Sequence, residues 1–205
     1  MNIQTIYAVG RNYAKHAQEL GNDIPSEPLL FHKPASAAVY AEGQTIPLPF
    51  DKGEVHFETE LVLRIGKRPS HGATVDELIS HITVGLDLTL RDVQSELKKN
   101  GHPWLRAKGF RNSAILGAWQ PWMGYESFKS QPFSLEKNGH QTQHGTPSEM
   151  MFSVERLLAE LDEWFGLAEG DLLFTGTPEG VGPLVSGDKL NLLLGEQDVG
   201  RITIG

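Results

Sequence analysis

The stretch Glu54-Val55-His56-Phe57-Glu58-Thr59-Glu60-Leu61-Val62-Leu63-Arg64-Ile65 constrains this chain most. Phe57, Leu61, Leu63 and Ile65 recur with period two, while Glu54, His56, Glu58 and Glu60 fill the alternate positions, the signature of a β-strand with one apolar and one acidic face. The fold must therefore contain a sheet that buries one face of this strand. Residues i and i+2 of a strand stand about 7 Å apart on one side, so Glu58 and Glu60 repel each other unless solvent or a cation lies between them. A solvated outer face and a cation site are both open at this point.

The rest of the chain suits an α+β protein with few helices. With 205 residues, 22 Gly and 12 Pro, one domain rich in turns is expected over residues 1–205. A formal charge of −8 and the lack of any basic stripe exclude a nucleic-acid footprint. The absence of cysteine rules out disulfides, iron–sulfur ligation and thiolate zinc sites. No basic and apolar leader and no apolar run of about eighteen residues is present, so a cytoplasmic protein with no membrane partner is expected.

Local signals divide the chain further. Ile3–Val9 reads as a strand and Tyr13–Leu20 as a short helix closed by Gly21, with His16 and Glu19 on one face, either as a surface ion pair or as a base with its orienting acid. Gly21–Pro28 reads as a mobile connection, Leu29–Phe31 as a strand, and Gly43–Phe50, interrupted by Pro47 and Pro49, as an edge strand or loop. Thr74 and Glu77 form a capping box for a helix ending near His81. Val84–Thr89 is an apolar strand that contains Asp87, an acid expensive to bury without a partner. Arg91–Asn100 is a charged helix stopped by Gly101 and Pro103. Asn138-Gly139 marks a type I′ hairpin, and Ser153–Phe165 is an amphipathic helix with Val154, Leu157, Leu158, Leu161 and Phe165 on its apolar stripe. Lys189–Leu194 and Val199–Ile204 read as a final hairpin.

Three polar groupings bear on chemistry. Glu58, Glu60 and Asp87 together form an all-oxygen set that selects Mg²⁺ or Mn²⁺ over zinc and leaves positions for water and substrate. Lys108, among small and apolar neighbours, is a candidate electrophile or anion clamp, or an ordinary loop lysine. Gly170–Gly182 is a buried strand running into a glycine-rich loop with Thr175 and Thr177 as hydroxyl donors. It lacks the Gly-Lys-Ser/Thr ending of a P-loop.

The segments Gly10-Arg11-Asn12-Tyr13-Ala14-Lys15-His16, Glu58-Thr59-Glu60-Leu61, Leu86-Asp87-Leu88-Thr89-Leu90-Arg91-Asp92-Val93-Gln94, Ala107-Lys108-Gly109-Phe110 and Thr175-Gly176-Thr177-Pro178-Glu179-Gly180-Val181-Gly182 resemble, in order and spacing, the signatures of the fumarylacetoacetate hydrolase family. The resemblance is greatest to its small branch of acylpyruvate hydrolases and oxaloacetate decarboxylases. It implies a mixed β-sandwich roll, a homodimer, and Mg²⁺ or Mn²⁺ held by Glu58, Glu60 and Asp87. It further implies a 2-oxo acid pocket lined by Arg11, Arg91, Gln94, Lys108 and Thr177, and a lid over residues 10–25 whose His16 and Glu19 activate water. The implied reaction is cleavage of the carbon–carbon bond of a 2,4-dioxo acid to a carboxylic acid and pyruvate, with oxaloacetate decarboxylation, or isomerisation or tautomerisation of unsaturated 2-oxo dicarboxylates, as alternatives. A non-catalytic metal-carboxylate binding protein is a more distant one. Three departures from the family pattern bear on pocket shape: Arg111, Ala114-Ile115 and Arg64.

Overall fold

The strand that opens the sequence argument is two strands. Val55–Phe57 and Thr59–Ile65 belong to different sheets, and the chain passes from one to the other at Glu58. The computed structural model describes residues 2–19, 21 and 25–205. Leu20 and residues 22–24 of the expected lid and mobile connection lie outside the described residues.

Thr59–Ile65 lies near the centre of an eight-stranded mixed sheet in the order Leu29–Lys33, Ile6–Gly10, Leu172–Phe174, Thr59–Ile65, Ile79–Asp87, Ala114–Leu116 and Ala38–Tyr40, with Gln120–Pro121 pairing beside Ile79–Asp87. The Ile6–Gly10 pairing with Leu172–Phe174 and the Ala38–Tyr40 pairing with Ala114–Leu116 are parallel, and the others are antiparallel. A second sheet of five strands runs His140–Gly145, Phe133–Lys137, Lys189–Leu194, Gln197–Ile204 and Glu42–Ile46. Val55–Phe57 lies in a third sheet, between Gly182–Pro183 and Thr89–Leu90. Six short α-helices complete the described residues, which makes the fold α+β as expected. Among the described residues no helix is long and apolar enough to cross a membrane.

Both faces of the large sheet are buried, which corrects the choice between a wet face and a dry one. Leu61, Leu63, Ile65, Ile82, Val84 and Leu86 pack into the main core with the five-stranded sheet and the helix Val154–Phe165. The opposite face, carrying Val62, packs Ile6, Ala8, Ala114, Leu116, Leu172 and Phe174. Glu60 and Asp87 lie on this second face, so period two marks a change of neighbours and not a boundary with water.

Several boundaries differ from expectation. The first strand is Ile6–Gly10, its bounds set by pairing with Leu172–Phe174 on one side and Leu29–Lys33 on the other. The Thr74–Glu77 capping box forms, yet its helix ends at Leu78 because Ile79 already pairs with Ile65. Asn138 and Gly139 both have positive φ and close the expected hairpin. Glu42–Ile46 lies at the edge of its sheet, where the prolines that follow do no harm. Ser153 caps the amphipathic helix, but Phe165, placed on its buried stripe by periodicity, is 57% exposed and stacks on Tyr7 instead.

Candidate active site

Strand register brings the three acids together. Asp87 N donates to Glu58 O across the pair at 2.8 Å, and Glu60 lies opposite Gly85, where a Cβ would come within 2.7 Å of Ile115 O and 2.8 Å of Val62 Cγ2. The three carboxylates are buried, and one oxygen from each lies within 4.8 Å of the others. Such crowding sets their titration apart. Burial, together with the charges of Asp87 and Glu58, pushes the Glu60 carboxyl well above the usual carboxylate range. Burial would raise Glu58 as well, but Lys108, Arg91 and His16 outweigh it and hold that carboxyl well below the usual range.

The cations come from neighbouring segments. Lys108, at the end of the single-turn helix Leu105–Lys108, is buried, which decides against an ordinary loop lysine. Its Nζ donates to Glu58 Oε2 at 2.8 Å and Asp87 Oδ2 at 2.6 Å. Burial alone would lower its pKa, but these two carboxylates reverse the shift and keep it charged. Arg91, first residue of the helix Arg91–Lys99, donates to Glu58 Oε1 and to Gln94 Oε1.

Sequence reasoning missed Lys33, which lies between the expected strand Leu29–Phe31 and Pro34. Lys33 is fully buried and lies 2.6 Å from Asp87 Oδ1, while Leu88 O and Ser113 O accept from its Nζ at 3.1 and 3.0 Å. Burial is the largest influence on Lys33 and brings its pKa to about 8 despite Asp87. The available signal was a lysine at the end of an apolar strand, where a solvated side chain is hard to place. Gln143 was missed too, because no local pattern distinguishes it. It is buried, accepts from Thr59 N at 2.9 Å, and donates to Thr177 Oγ1 at 2.8 Å and Pro178 O at 2.9 Å.

The glycine-rich loop closes the acid cluster from one side. Gly176 N donates to Glu60 Oε2 at 2.6 Å. Its φ is +96°, and a Cβ there would lie 2.6 Å from Asn12 Cβ, so only glycine fits. Asn12 is buried and ties the first strand to this loop through Thr175 O and to Phe152 through its backbone.

The helix Ala14–Glu19 covers the other side. His16 is buried, which excludes a surface pair, and its Nδ1 lies 3.5 Å from Glu19 Oε2 without an aligned hydrogen bond. Burial lowers the His16 pKa, and Glu58 and Glu19 offset this only in part, so the imidazole is neutral at pH 7. Glu19 accepts from Gly180 N at 3.1 and 3.2 Å, which fastens the helix to the glycine-rich loop.

Arg11, His16, Glu58, Arg91, Gln94 and Lys108 line one small cavity of about 30 Å³. Thr177 and Glu19 are not on its wall; Thr177 accepts from Gln143 Nε2, and Glu19 from Gly180 N. Glu54 pairs with His56 at 3.3 Å and stays out of the acid cluster. A much larger cavity, about 640 Å³, lies between the loop before Leu78 and the helix Val154–Phe165, and none of the candidate residues borders it.

The acid cluster fits a hard divalent cation. All its donors are carboxylate oxygens, and Asp87 Oδ1 is buried without an aligned hydrogen bond. The profile of the fumarylacetoacetate hydrolase C-terminal domain matches residues 5–205. The chain belongs to the fumarylacetoacetate hydrolase family. Among relatives of this chain within that family, the oxaloacetate tautomerase YcgM of Escherichia coli (strain K12) is 42% identical over 196 residues, covering 93% of this chain and 88% of its own. A mitochondrial oxaloacetate decarboxylase of Dictyostelium discoideum is 37% identical over 190 residues, covering 90% and 86%. Fumarylpyruvate hydrolase of Pseudomonas aeruginosa, crystallised with Mn²⁺ and pyruvate, superposes with a TM-score of 0.90 at 34% identity over 98% of this chain and 89% of its own. These relatives support an enzyme, and they bracket tautomerase, decarboxylase and hydrolase chemistry.

Proposed function

We propose that this protein is a divalent-metal-dependent enzyme that forms and protonates enolates of small 2-oxo acids, with oxaloacetate as its leading substrate and keto–enol interconversion as its leading reaction. The observation that carries the proposal is the buried set Glu58, Glu60 and Asp87 beside Lys108, whose charge two of these carboxylates hold in place. The naming of the Escherichia coli relative as an oxaloacetate tautomerase supports the choice among enolate reactions. Mg²⁺ or Mn²⁺ held by the three acids would supply Lewis acidity toward a 2-oxo oxygen.

The chain's own residues would divide the remaining work. Arg91 and Gln94, fixed to each other, would bind and orient the substrate carboxylate. Lys108 would stabilise negative charge as it develops on the enolate oxygen. His16, neutral and on the cavity wall, would accept a proton from C3 and pass it to the 2-oxygen, directly or through one water, to give the enol, the same proton moving back in the reverse direction. The about 30 Å³ cavity holds roughly one water, so the helix Ala14–Glu19 must move to admit substrate and then exclude solvent.

Hydrolysis of 2,4-dioxo acids is the second reading, favoured by the His16–Glu19 contact and by the fumarylpyruvate hydrolase relative. There His16 would take a proton from water, the water oxygen would add to the 4-carbonyl, and the C3–C4 bond would break with its electron pair left on the pyruvate fragment.

Purified protein with Mg²⁺ or Mn²⁺ should be given oxaloacetate, acetylpyruvate and fumarylpyruvate, following enol absorbance and pyruvate release separately. Faster loss of the oxaloacetate enol band without pyruvate identifies the tautomerase. Pyruvate from the dioxo acids identifies the hydrolase instead, and pyruvate from oxaloacetate the decarboxylase. Inactivity toward all three with both ions overturns the proposal.

A further inference from the structure

The helix Arg91–Lys99 turns three side chains toward the site cavity: Arg91, Gln94 and Lys98, at positions i, i+3 and i+7 of one face. The first two are engaged with Glu58 and with each other. Lys98 is not. Among the described residues no carboxylate lies within ion-pair distance of its ammonium group. Instead its Nζ is held 5.5 Å from the centroid of the Trp104 ring, and Trp104 also lines the cavity.

The surroundings make Lys98 receptive to an anion. Burial, followed by the charges of Arg11 and Arg91, holds its pKa below the ordinary lysine value. Arg11, Arg91, Lys98 and Lys108 all border the cavity, and Glu58 is the one carboxylate on that wall among the described residues. Arg11 also has a φ of +58°, a left-handed conformation that costs a non-glycine residue free energy and concentrates at ligand sites. A 2-oxo monocarboxylic acid has a single carboxylate to offer Arg91 and Gln94, and nothing for Lys98.

We infer that Lys98, clamped on Trp104 and joined by Arg11, is the seat for a distal carboxylate and makes the site select four-carbon 2-oxo dicarboxylic acids over their monocarboxylic counterparts. The inference deepens the proposed function and rests on it for the placement of the proximal carboxylate. One charge-assisted hydrogen bond in a partly buried site corresponds to roughly 10- to 100-fold in affinity.

The test uses the full Mn²⁺-loaded protein and two unreactive 2-hydroxy acids, malate and lactate, which share the proximal carboxylate and differ in the distal one. Calorimetric titration of the wild type should give tighter malate binding, and Lys98→Gln should lower the malate-to-lactate affinity ratio about 10-fold or more. Lys98→Arg should restore most of it. In turnover, Lys98→Gln should raise KM for oxaloacetate more than for acetylpyruvate, with kcat for oxaloacetate little changed. An unchanged malate-to-lactate ratio, or a wild type that does not prefer malate, overturns the inference. Should the wild type turn over neither keto acid, the reaction class fails, and the malate and lactate titrations still decide the role of Lys98.

Discussion

Replacing Gln143 with leucine tests whether one buried amide holds the acid-bearing strand to the glycine-rich loop. Gln143 Oε1 accepts from Thr59 N, the backbone group between Glu58 and Glu60, and its Nε2 donates to Thr177 Oγ1 and Pro178 O. Leucine has nearly the same volume, so packing survives while the polar contacts go. The Thr177 hydroxyl can rotate to another acceptor, but Thr59 N and Pro178 O are left without this partner in the interior. At about 1–3 kcal/mol for each unsatisfied buried group, the loss should be about 3 kcal/mol. For a chain of this length that corresponds to a fall of roughly 6–12 °C in Tm. Urea denaturation of the chelator-treated protein gives the same quantity as a lower midpoint at unchanged slope. Gln143→Glu keeps the acceptor for Thr59 N and loses the donors, so it should still fall below wild type. A loss under about 1 kcal/mol in Gln143→Leu would refute the assignment, because two unsatisfied buried groups cost more than that and only surface contacts cost so little.

Two further outcomes follow from the charges. Glu60→Gln removes the carboxyl that burial, Asp87 and Glu58 push upward. It should therefore leave the thermal midpoint of the chelator-treated protein unchanged or higher while weakening Mn²⁺ binding on the order of 100-fold, as read by calorimetry; a drop in midpoint with unchanged Mn²⁺ affinity would count against a cation site. His16 titrates below 6.5 in the folded protein, since burial lowers it more than Glu58 and Glu19 raise it. The unfolded chain then binds more protons just below pH 6.5, so the His16 contribution to stability is full above that pH and is lost as pH falls toward the lower folded value. The acidic limb of kcat/KM should likewise fall below pH 6.5 and disappear from the residual profile of His16→Ala.

How much of this was legible in the sequence depends on the distance over which each interaction acts. Capping of the helix after Thr74, the Asn138-Gly139 turn and the Ser153 cap are settled within four residues, and the chain states them openly. Glu58, Glu60 and Asp87 could be grouped because the first two stand two residues apart in one alternating stretch and the third stands in an apolar run where an acid needs a partner. What could not be read was the other side of each contact. Lys33 reaches Asp87 across 54 positions, and Gln143 reaches Thr59 across 84; the apolar strand before Lys33 hints at burial but names no partner, and Gln143 does not differ locally from a surface glutamine. The same limit explains why period two in Glu54–Ile65 admitted a solvated face. Alternation reports that the two sides of a strand differ, and only the strand Leu172–Phe174 beside it, bringing Phe174 next to Val62, makes the second side dry as well. That dryness gives the acids their chemistry: in contact with water Glu58 and Glu60 would repel weakly and need no cation, whereas buried together with Asp87 they require Lys108, Lys33, Arg91 or a divalent ion to be charged at all.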